Sequence, residues 1–173
     1  VEEHGGTVTA LTLGEADATE QLRSAIAMGA DEVMLLEAGD EEWGPAGTAK
    51  AIAEAVEASD TAFDLLLFGN ESADTANHQV GVRVAEELGL PCITGIKDLD
   101  LDGATAVARR EIPGGSEVYN LDLPAVVTVR EGLNEPRYPS MRAKMQARKA
   151  SVDERTPDPH DDDIQLIELE VPE

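Results

Sequence analysis

Apolar residues form three short runs along the first half of the chain, and each run is followed by a segment in which apolar residues recur at helical spacing. The runs lie at residues 7–13, 33–36 and 65–68, and the helical segments at residues 18–28, 45–57 and 75–88. The second and third runs are uninterrupted, which is typical of strands buried on both faces of a parallel sheet. The β–α–β–α–β–α order with short connections therefore predicts an α/β fold, a parallel sheet in three α/β/α layers.

After residue 91 the pattern changes to short strands separated by turn residues. Strands are predicted at residues 93–96, 99–103, 106–112, 117–123 and 125–129. The turn residues Asp102-Gly103 and Pro113-Gly-Gly115 favour hairpins. The parallel core is therefore predicted to be extended by antiparallel strands, and Ser140 to begin a short basic helix.

The composition changes again at the end of the chain. Residues 1–150 are predicted to form one domain, and residues 152–173 an acidic tail that contains two prolines and three consecutive aspartates before residue 164. Residues 164–171 then alternate apolar and acidic side chains, which favours a single strand or docking segment. Such a segment needs a surface, so we expect the tail to dock on a partner subunit.

The junction between the third apolar run and its helix is the main candidate binding site. Gly69 ends the predicted strand, and Asp74 or Thr75 can cap a helix that starts at Thr75. A strand, a glycine and a capped helix place backbone N–H groups at the carboxyl end of a sheet, where they can hold a phosphate. A capped turn that binds nothing has the same outline, because one glycine is not a dinucleotide fingerprint.

The composition predicts a soluble, cytoplasmic protein without catalytic machinery. No apolar run approaches the roughly 20 residues of a spanning helix, and the chain does not open with a signal peptide. Cys92 is the single cysteine, which excludes an internal disulfide and a cysteine-rich metal site. The three histidines are scattered, and no nucleophile with its base is recognisable. We therefore expect no catalytic residue, no metal and no membrane insertion.

The chain is strongly acidic. It has 13 Lys+Arg against 36 Asp+Glu, a formal net charge of −23, which would repel a nucleic acid. Uniform acidity with few aromatic residues is typical of a folded protein adapted to high salt, where screening relieves self-repulsion, and we expect a haloarchaeal type of organism. A partly disordered acidic protein is the alternative, but 42% apolar residues in periodic patterns argue against it.

Basic residues are concentrated between Val129 and Ala150. That segment has six basic and two acidic residues, whereas the rest of the chain has seven basic and 34 acidic residues. An island of positive charge attracts acidic partners and steers their encounter. The alternative is a helix whose basic end, Arg148 and Lys149, complements its own dipole.

Five motifs follow one another in an order shared with a known family. They are Ala27-Met-Gly-Ala-Asp31, Gly69-x4-Asp74-x4-Gln79, Arg110-Glu-Ile-x-Gly-Gly115, Leu123-Pro-Ala-Val-Val127, and Leu133-Asn-Glu-Pro-Arg-Tyr138 followed by Met141, Met145 and Arg148-Lys149. With these motifs the chain resembles the β subunit of electron transfer flavoprotein over residues 1–152. The resemblance implies a Rossmann-like fold, similar to that of adenine nucleotide alpha hydrolases.

The resemblance also implies a function. The β subunit would form a heterodimer with an α subunit that carries FAD, and would shuttle electrons from dehydrogenases, such as acyl-CoA dehydrogenase, to a quinone reductase. It would itself bury an adenine nucleotide, usually AMP. The residues implied to line this nucleotide are Leu13, Gly69, Asn70, Glu71, Ser72, Ala73, Asp74, Asn77, Gln79 and Val80. Gln79 could bond either phosphate or base, and Asp74 could instead be a helix cap.

The basic segment at residues 129–151 resembles the recognition loop of this family. Met141 would be its apolar anchor for partner dehydrogenases, because methionine adapts to several partners. The basic residues that would hold the encounter are Arg142, Lys144, Arg148 and Lys149. Glu111 resembles a residue that faces the flavin domain of the α subunit, and it could equally be a surface charge on a strand.

Two departures from the family keep alternatives open. The family begins with a strand and a loop before the position of Val1, so the chain is expected to lack a central strand and one wall of the site. Gln79-Val80-Gly81 resembles the bifurcating branch, in which a second FAD replaces AMP, whereas Asn77-His78 does not match that branch. Outside the family, a nucleotide-binding module of the stress-protein type and an adenine-nucleotide-dependent ligase or hydrolase are the alternatives.

Overall fold

The computed structural model of the protein describes residues 5–39, 43–73, 76–135 and 137–160. The strands are β1 Thr9–Gly14, β2 Glu32–Glu37, β3 Leu65–Gly69, β4 Cys92–Ile96, β5 Asp98–Asp102, β6 Thr105–Ile112, β7 Gly115–Asp122, β8 Ala125–Val129 and β9 Asp153–Arg155. The helices are α1 Thr19–Met28, α2 Pro45–Glu57, α3 Val80–Leu88 and α4 Met141–Ala147. None of these helices has the length and apolarity that crossing a lipid bilayer requires.

The parallel strands form two sheets of three strands each. One has the order β1-β2-β9 and the other β3-β8-β4, and every pairing in them is parallel. The predicted α/β class, with parallel strands and antiparallel strands, is confirmed. Within the described residues, however, β1 and β3 do not pair, and each is the edge strand of its own sheet.

One core joins the two parallel sheets. Met34 and Leu36 of β2 and Leu66 of β3 pack in the same cluster as the buried faces of α2 and α3. The alternate residues of β2, Val33 and Leu35, pack instead with α1. Because neighbouring side chains of a strand point to opposite faces, β2 has α1 on one face and α2 on the other, as the three-layer prediction requires.

The antiparallel strands form a sheet of their own, with the order β5-β6-β7. Leu99 and Leu101 of β5 are half-buried, whereas its aspartates are exposed, so only one face of this sheet is apolar. That face packs on Val127 of β8 and Ile96 of β4. The sheet therefore covers the face of β3-β8-β4 that α2 and α3 leave open, instead of lengthening its edge.

Helix ends follow the predicted signals at most positions. Gly29 and Gly89 end α1 and α3 in the left-handed conformation, and Ser140 caps α4 by accepting a hydrogen bond from the N–H of Ala143 at 3.2 Å. The predicted start of α3 at Thr75 is wrong, because α3 begins at Val80. Ala76 and His78 have φ values of 49° and 55°, which interrupt a right-handed helix. Asp74 and Thr75, the predicted caps, lie outside the described residues.

The first part of the predicted tail packs on its own domain. Residues 153–155 form β9, which pairs with β2, and Val152 joins the cluster of Leu22 and Leu35. Nε2 of His160 lies 3.0 Å from a carboxylate oxygen of Glu54. Docking of the tail on a partner stays a prediction, and residues 161–173 lie outside the described residues.

Candidate functional site

The carboxyl ends of β3, β8 and β4 lie side by side, because β8 pairs with both neighbours in parallel. The N–H of Asn70, directly after β3, donates to the carbonyl of Val129 at 3.0 Å. The N–H of Arg130, directly after β8, donates to the carbonyl of Ile96 at 2.9 Å. Ligands of parallel sheets bind beyond such strand ends, so this edge is the structural counterpart of the predicted site.

A chain of hydrogen bonds fixes Asn70 to the sheet. The N–H of Gly95 donates to Thr128 Oγ1 at 2.9 Å, and Thr128 Oγ1 donates to Asn70 Oδ1 at 2.9 Å. Thr128 is only 3% exposed and is a polar residue in an otherwise apolar strand. Gly95 has a φ of 67°, and a Cβ there would lie 3.3 Å from Asn70 Oδ1. The side-chain oxygen of Asn70 is therefore held by the buried hydroxyl of Thr128, which Gly95 holds in turn.

The same chain continues into the loop after β3. Asn70 Nδ2 lies 3.1 Å from His78 Nδ1, and His78 Nε2 lies 2.8 Å from a carboxylate oxygen of Glu71. An amide nitrogen only donates, so Nδ1 accepts and Nε2 carries the hydrogen that bonds Glu71. The structure thus brings two predicted site residues, Asn70 and Glu71, together through His78, which was not among the predicted site residues. The group of Gly95, Thr128, Asn70, His78 and Glu71 is called the carboxyl-end network below.

The start of α3 packs directly on the strand ends. A Cβ on Gly81 would lie 2.8 Å from Thr128 Cγ2 and 3.1 Å from Phe68 Cβ, so only glycine fits there. Gln79 precedes the first turn, and its Oε1 accepts a hydrogen bond from Arg83 Nε at 3.1 Å. The first helical amides and Gln79 therefore lie beside the carboxyl-end network.

The other predicted nucleotide residues are distributed around this network. Ser72, Ala73 and Asn77 are exposed in the loop, and Asp74 lies outside the described residues. Leu13 is half-buried in β1, in the other parallel sheet, and both Leu13 and Val80 pack against the shared core. Gly69 is the last residue of β3. Asn70, Glu71 and Gln79 are thus the predicted residues that present functional side chains at this edge.

The hairpin of β6 and β7 carries a second polar cluster that the sequence did not reveal. Arg110 Nη2 lies 2.6 Å from a carboxylate oxygen of Glu117 and 2.6 Å from the hydroxyl of Tyr119, and Tyr119 donates to Glu117 at 2.7 Å. The hydrogen bonds from Tyr119 and Arg110 lower the pKa of Glu117. The bond to Glu117 raises the pKa of Tyr119. Arg110 also donates to the carbonyl of Thr94 at 3.3 Å, which ties the hairpin to β4.

Glu111 lies on the opposite face of the same hairpin. Its carboxylate is 69% exposed and lies 3.0 Å from Lys97 Nζ. This contact raises the pKa of Lys97. Among the described residues, no three potential ligands come close enough together to hold a metal ion.

The surface of α4 combines exposed apolar and basic side chains. Tyr138, Met141 and Met145 are 95%, 74% and 63% exposed, whereas Ala147 is buried and α4 packs against α1. Four basic residues of this region form no ion pair with any described residue, namely Arg142, Lys144, Arg148 and Lys149. We call Tyr138, Met141, Met145 and these four residues the α4 surface.

Comparisons with known proteins agree on one family. The model of the electron transfer flavoprotein domain matches residues 1–160. The chain is 41% identical over 153 residues to the electron transfer flavoprotein subunit beta of Bacillus subtilis, which covers 88% of this chain and 60% of that protein. It is 34% identical over 168 residues to the subunit beta of Syntrophomonas wolfei, covering 95% of this chain and 64% of that protein.

A further relative is a subunit of a larger assembly. The caffeyl-CoA reductase-Etf complex subunit CarD of Acetobacterium woodii is 34% identical over 150 residues, which are 84% of this chain and 56% of that protein. The chain thus spans less than two thirds of the length of each of these relatives. On the family match and these identities, the chain belongs to the family of electron transfer flavoprotein β subunits.

Proposed function

We propose that the chain is the nucleotide-binding and partner-docking part of the β subunit of a heterodimeric electron transfer flavoprotein. In this role the protein shuttles electrons from dehydrogenases to a quinone reductase or another acceptor in the cytoplasm, as a carrier without catalytic turnover of its own. Its partner is the α subunit, which carries FAD. The observation that carries the docking role is the α4 surface, where Met141 is 74% exposed among basic residues that have no ion pair with the described residues.

A structural AMP at the carboxyl ends of β3, β8 and β4 is the second part of the proposal. The donors at this edge, the first amides of α3 and the amide of Gln79, suit a phosphate. Gly81 lets α3 pack closely on the strands, and the space beside Gly69 is open to a ligand. Glu111, exposed on the hairpin, is proposed to face the flavin domain of the α subunit and so to help hold its FAD.

A second FAD in place of AMP is the alternative occupant of the site. The similarity to a subunit of the caffeyl-CoA reductase-Etf complex and the Gln79-Val80-Gly81 sequence favour it. Extraction of bound nucleotides from the complete heterodimer distinguishes the two. Equal amounts of FAD and AMP support the shuttle, two FAD without AMP support the bifurcating type, and the absence of both nucleotides contradicts either assignment.

The docking role is tested by Met141→Ala in the complete heterodimer. We expect the rate of electron transfer from an acyl-CoA dehydrogenase to fall about tenfold or more, as for a central apolar anchor. Val82→Ala, which shortens an exposed apolar residue of α3, should leave the rate unchanged. If Met141→Ala leaves electron transfer from every dehydrogenase partner unchanged, the docking assignment is wrong.

A further inference from the structure

The amide of Gln79 has only one orientation that is compatible with its neighbour. Arg83 lies one turn later on α3, and its Nε is 3.1 Å from the side chain of Gln79. A guanidinium donates and never accepts, so the atom of Gln79 that faces Arg83 must be the carbonyl oxygen. The NH2 group of Gln79 remains, and none of the described residues supplies an acceptor for it.

The side-chain oxygens at this edge each have one partner already. Asn70 Oδ1 accepts from Thr128, Glu71 accepts from His78, and Gln79 Oε1 accepts from Arg83. The edge of an adenine base presents a donor as well as acceptors, so its recognition needs an acceptor from the protein. A phosphate presents only acceptors, and it is stabilised by nearby positive charge. The NH2 group of Gln79 lies beside the positive end of α3 and the guanidinium of Arg83, and this surrounding charge suits a phosphate.

We propose that Arg83 is a positioning residue that fixes Gln79 as a hydrogen-bond donor to the phosphate of a bound adenine nucleotide. The proposal rests on the nucleotide function proposed above and assigns Gln79 to the phosphate. Arg83 acts in two ways. It donates a hydrogen bond to the side-chain carbonyl of Gln79 and so fixes the orientation of the amide, and it places a half-buried positive charge one turn into α3.

The test measures binding of AMP and of adenosine, which lacks the phosphate, to the complete heterodimer after its nucleotide has been removed. In Arg83→Met the amide of Gln79 is free to rotate, and we expect the Kd for AMP to rise about two- to tenfold, as for loss of one hydrogen bond. The Kd for adenosine should not change. Arg83→Lys, which keeps a donor and the charge, should restore most of the affinity for AMP.

Gln79→Glu keeps the contact with Arg83 but removes the NH2 group that would donate to the phosphate. A glutamate keeps a partner for Arg83 but presents an oxygen to the phosphate, so the loss of AMP affinity should exceed that of Arg83→Met. Arg23→Met, which removes a cation paired with Glu20 on α1, is the matched control and should leave both affinities unchanged.

Three results would overturn the proposal. An unchanged affinity for AMP in Arg83→Met would remove the role of Arg83, while the nucleotide function would stand. Equal losses for AMP and adenosine would place the contact on the base or indicate damage to the fold. A wild-type heterodimer that binds neither AMP nor adenosine would overturn the nucleotide function together with this inference.

Discussion

The carboxyl-end network and the α4 surface use polar groups in opposite ways. In the network, Thr128 and Asn70 are each hydrogen-bonded to two other members, and even the exposed Glu71 is bonded to His78. On the α4 surface, four basic side chains have no carboxylate partner among the described residues, although they surround two exposed methionines. The side chains of the network bond one another, whereas the basic side chains of the α4 surface form no ion pair with the described residues.

A shortage of carboxylates does not explain the difference. The chain has 36 acidic residues for 13 basic ones, and the basic residues of the antiparallel sheet and Lys97, directly before it, are all paired. These pairs are Lys97 with Glu111, Arg109 with Asp98 and Asp100, and Arg110 with Glu117. The basic residues on and just after α4, which have no ion pair with the described residues, therefore support the docking role proposed above, whereas the paired ones hold strands together.

The largest expected effect is on stability, when the buried hydroxyl of Thr128 is removed from the carboxyl-end network. Thr128→Val keeps the branched shape but removes the hydroxyl, so the N–H of Gly95 loses its acceptor and Asn70 loses its donor. We expect a loss of about 1–3 kcal/mol in the free energy of unfolding, measured by urea denaturation of the complete heterodimer. Thr128→Ser, which keeps the hydroxyl, should lose less. A Thr128→Val protein as stable as wild type would show that the network is not structural.

The second largest expected effect is on the rate of electron transfer, when basic charges of the α4 surface are reversed. Reversal of two charges, Arg142→Glu with Lys144→Glu, should lower kcat/KM for electron transfer from an acidic dehydrogenase about tenfold at low ionic strength. The effect should shrink as salt is raised, because at 1 M the screening length is about 3 Å. The free energy of unfolding should change by less than about 0.5 kcal/mol, since these side chains form no ion pair with the described residues.

Lys50→Glu is the matched control for the charge reversal. Lys50 is an exposed basic residue of α2 that also lacks an ion pair with the described residues. The two variants are compared by the loss of electron-transfer rate per unit of charge changed. If this loss is the same for Lys50→Glu as for the double reversal, the total charge of the protein governs docking, and the α4 surface has no special role.

The sequence predicted the parts of this fold that depend on local chemistry. The apolar run at residues 33–36 became β2, whose side chains are buried on both faces as predicted. The run at residues 65–68 became β3, but the prediction that both of its faces are buried is wrong, because β3 is an edge strand and Leu67 is 56% exposed. Ser140 capped α4, and the glycines after α1 and α3 ended those helices, because caps and left-handed residues act within one turn.

The rest depended on neighbours that are distant along the chain. Thr128 lies 58 residues from Asn70, so neither strand alone shows that they bond. The one sequence signal was a threonine within the apolar run of β8. The start of α3 was misplaced because Asp74 and Thr75 are typical capping residues, whereas the apolar spacing itself begins at Val80 and His78 is held in a left-handed conformation between Asn70 and Glu71. Tertiary hydrogen bonds overrode the local preference there.

The smallest expected effect is on the pH dependence of stability, and it concerns the paired residues Arg110, Glu117 and Tyr119 of the antiparallel sheet. The pKa of Glu117 is lowered in the folded protein by Tyr119 and Arg110, so the unfolded chain binds a proton more readily. The ionised pair therefore contributes stability above the unfolded pKa of about 4.3, and that contribution is lost as pH falls through the lower folded pKa. Glu117→Gln should make the free energy of unfolding less dependent on pH below about pH 5. Tyr119→Phe, which removes one of the two donors, should give an intermediate slope, and a Glu117→Gln protein that retains the full acid dependence would assign that dependence to other carboxylates.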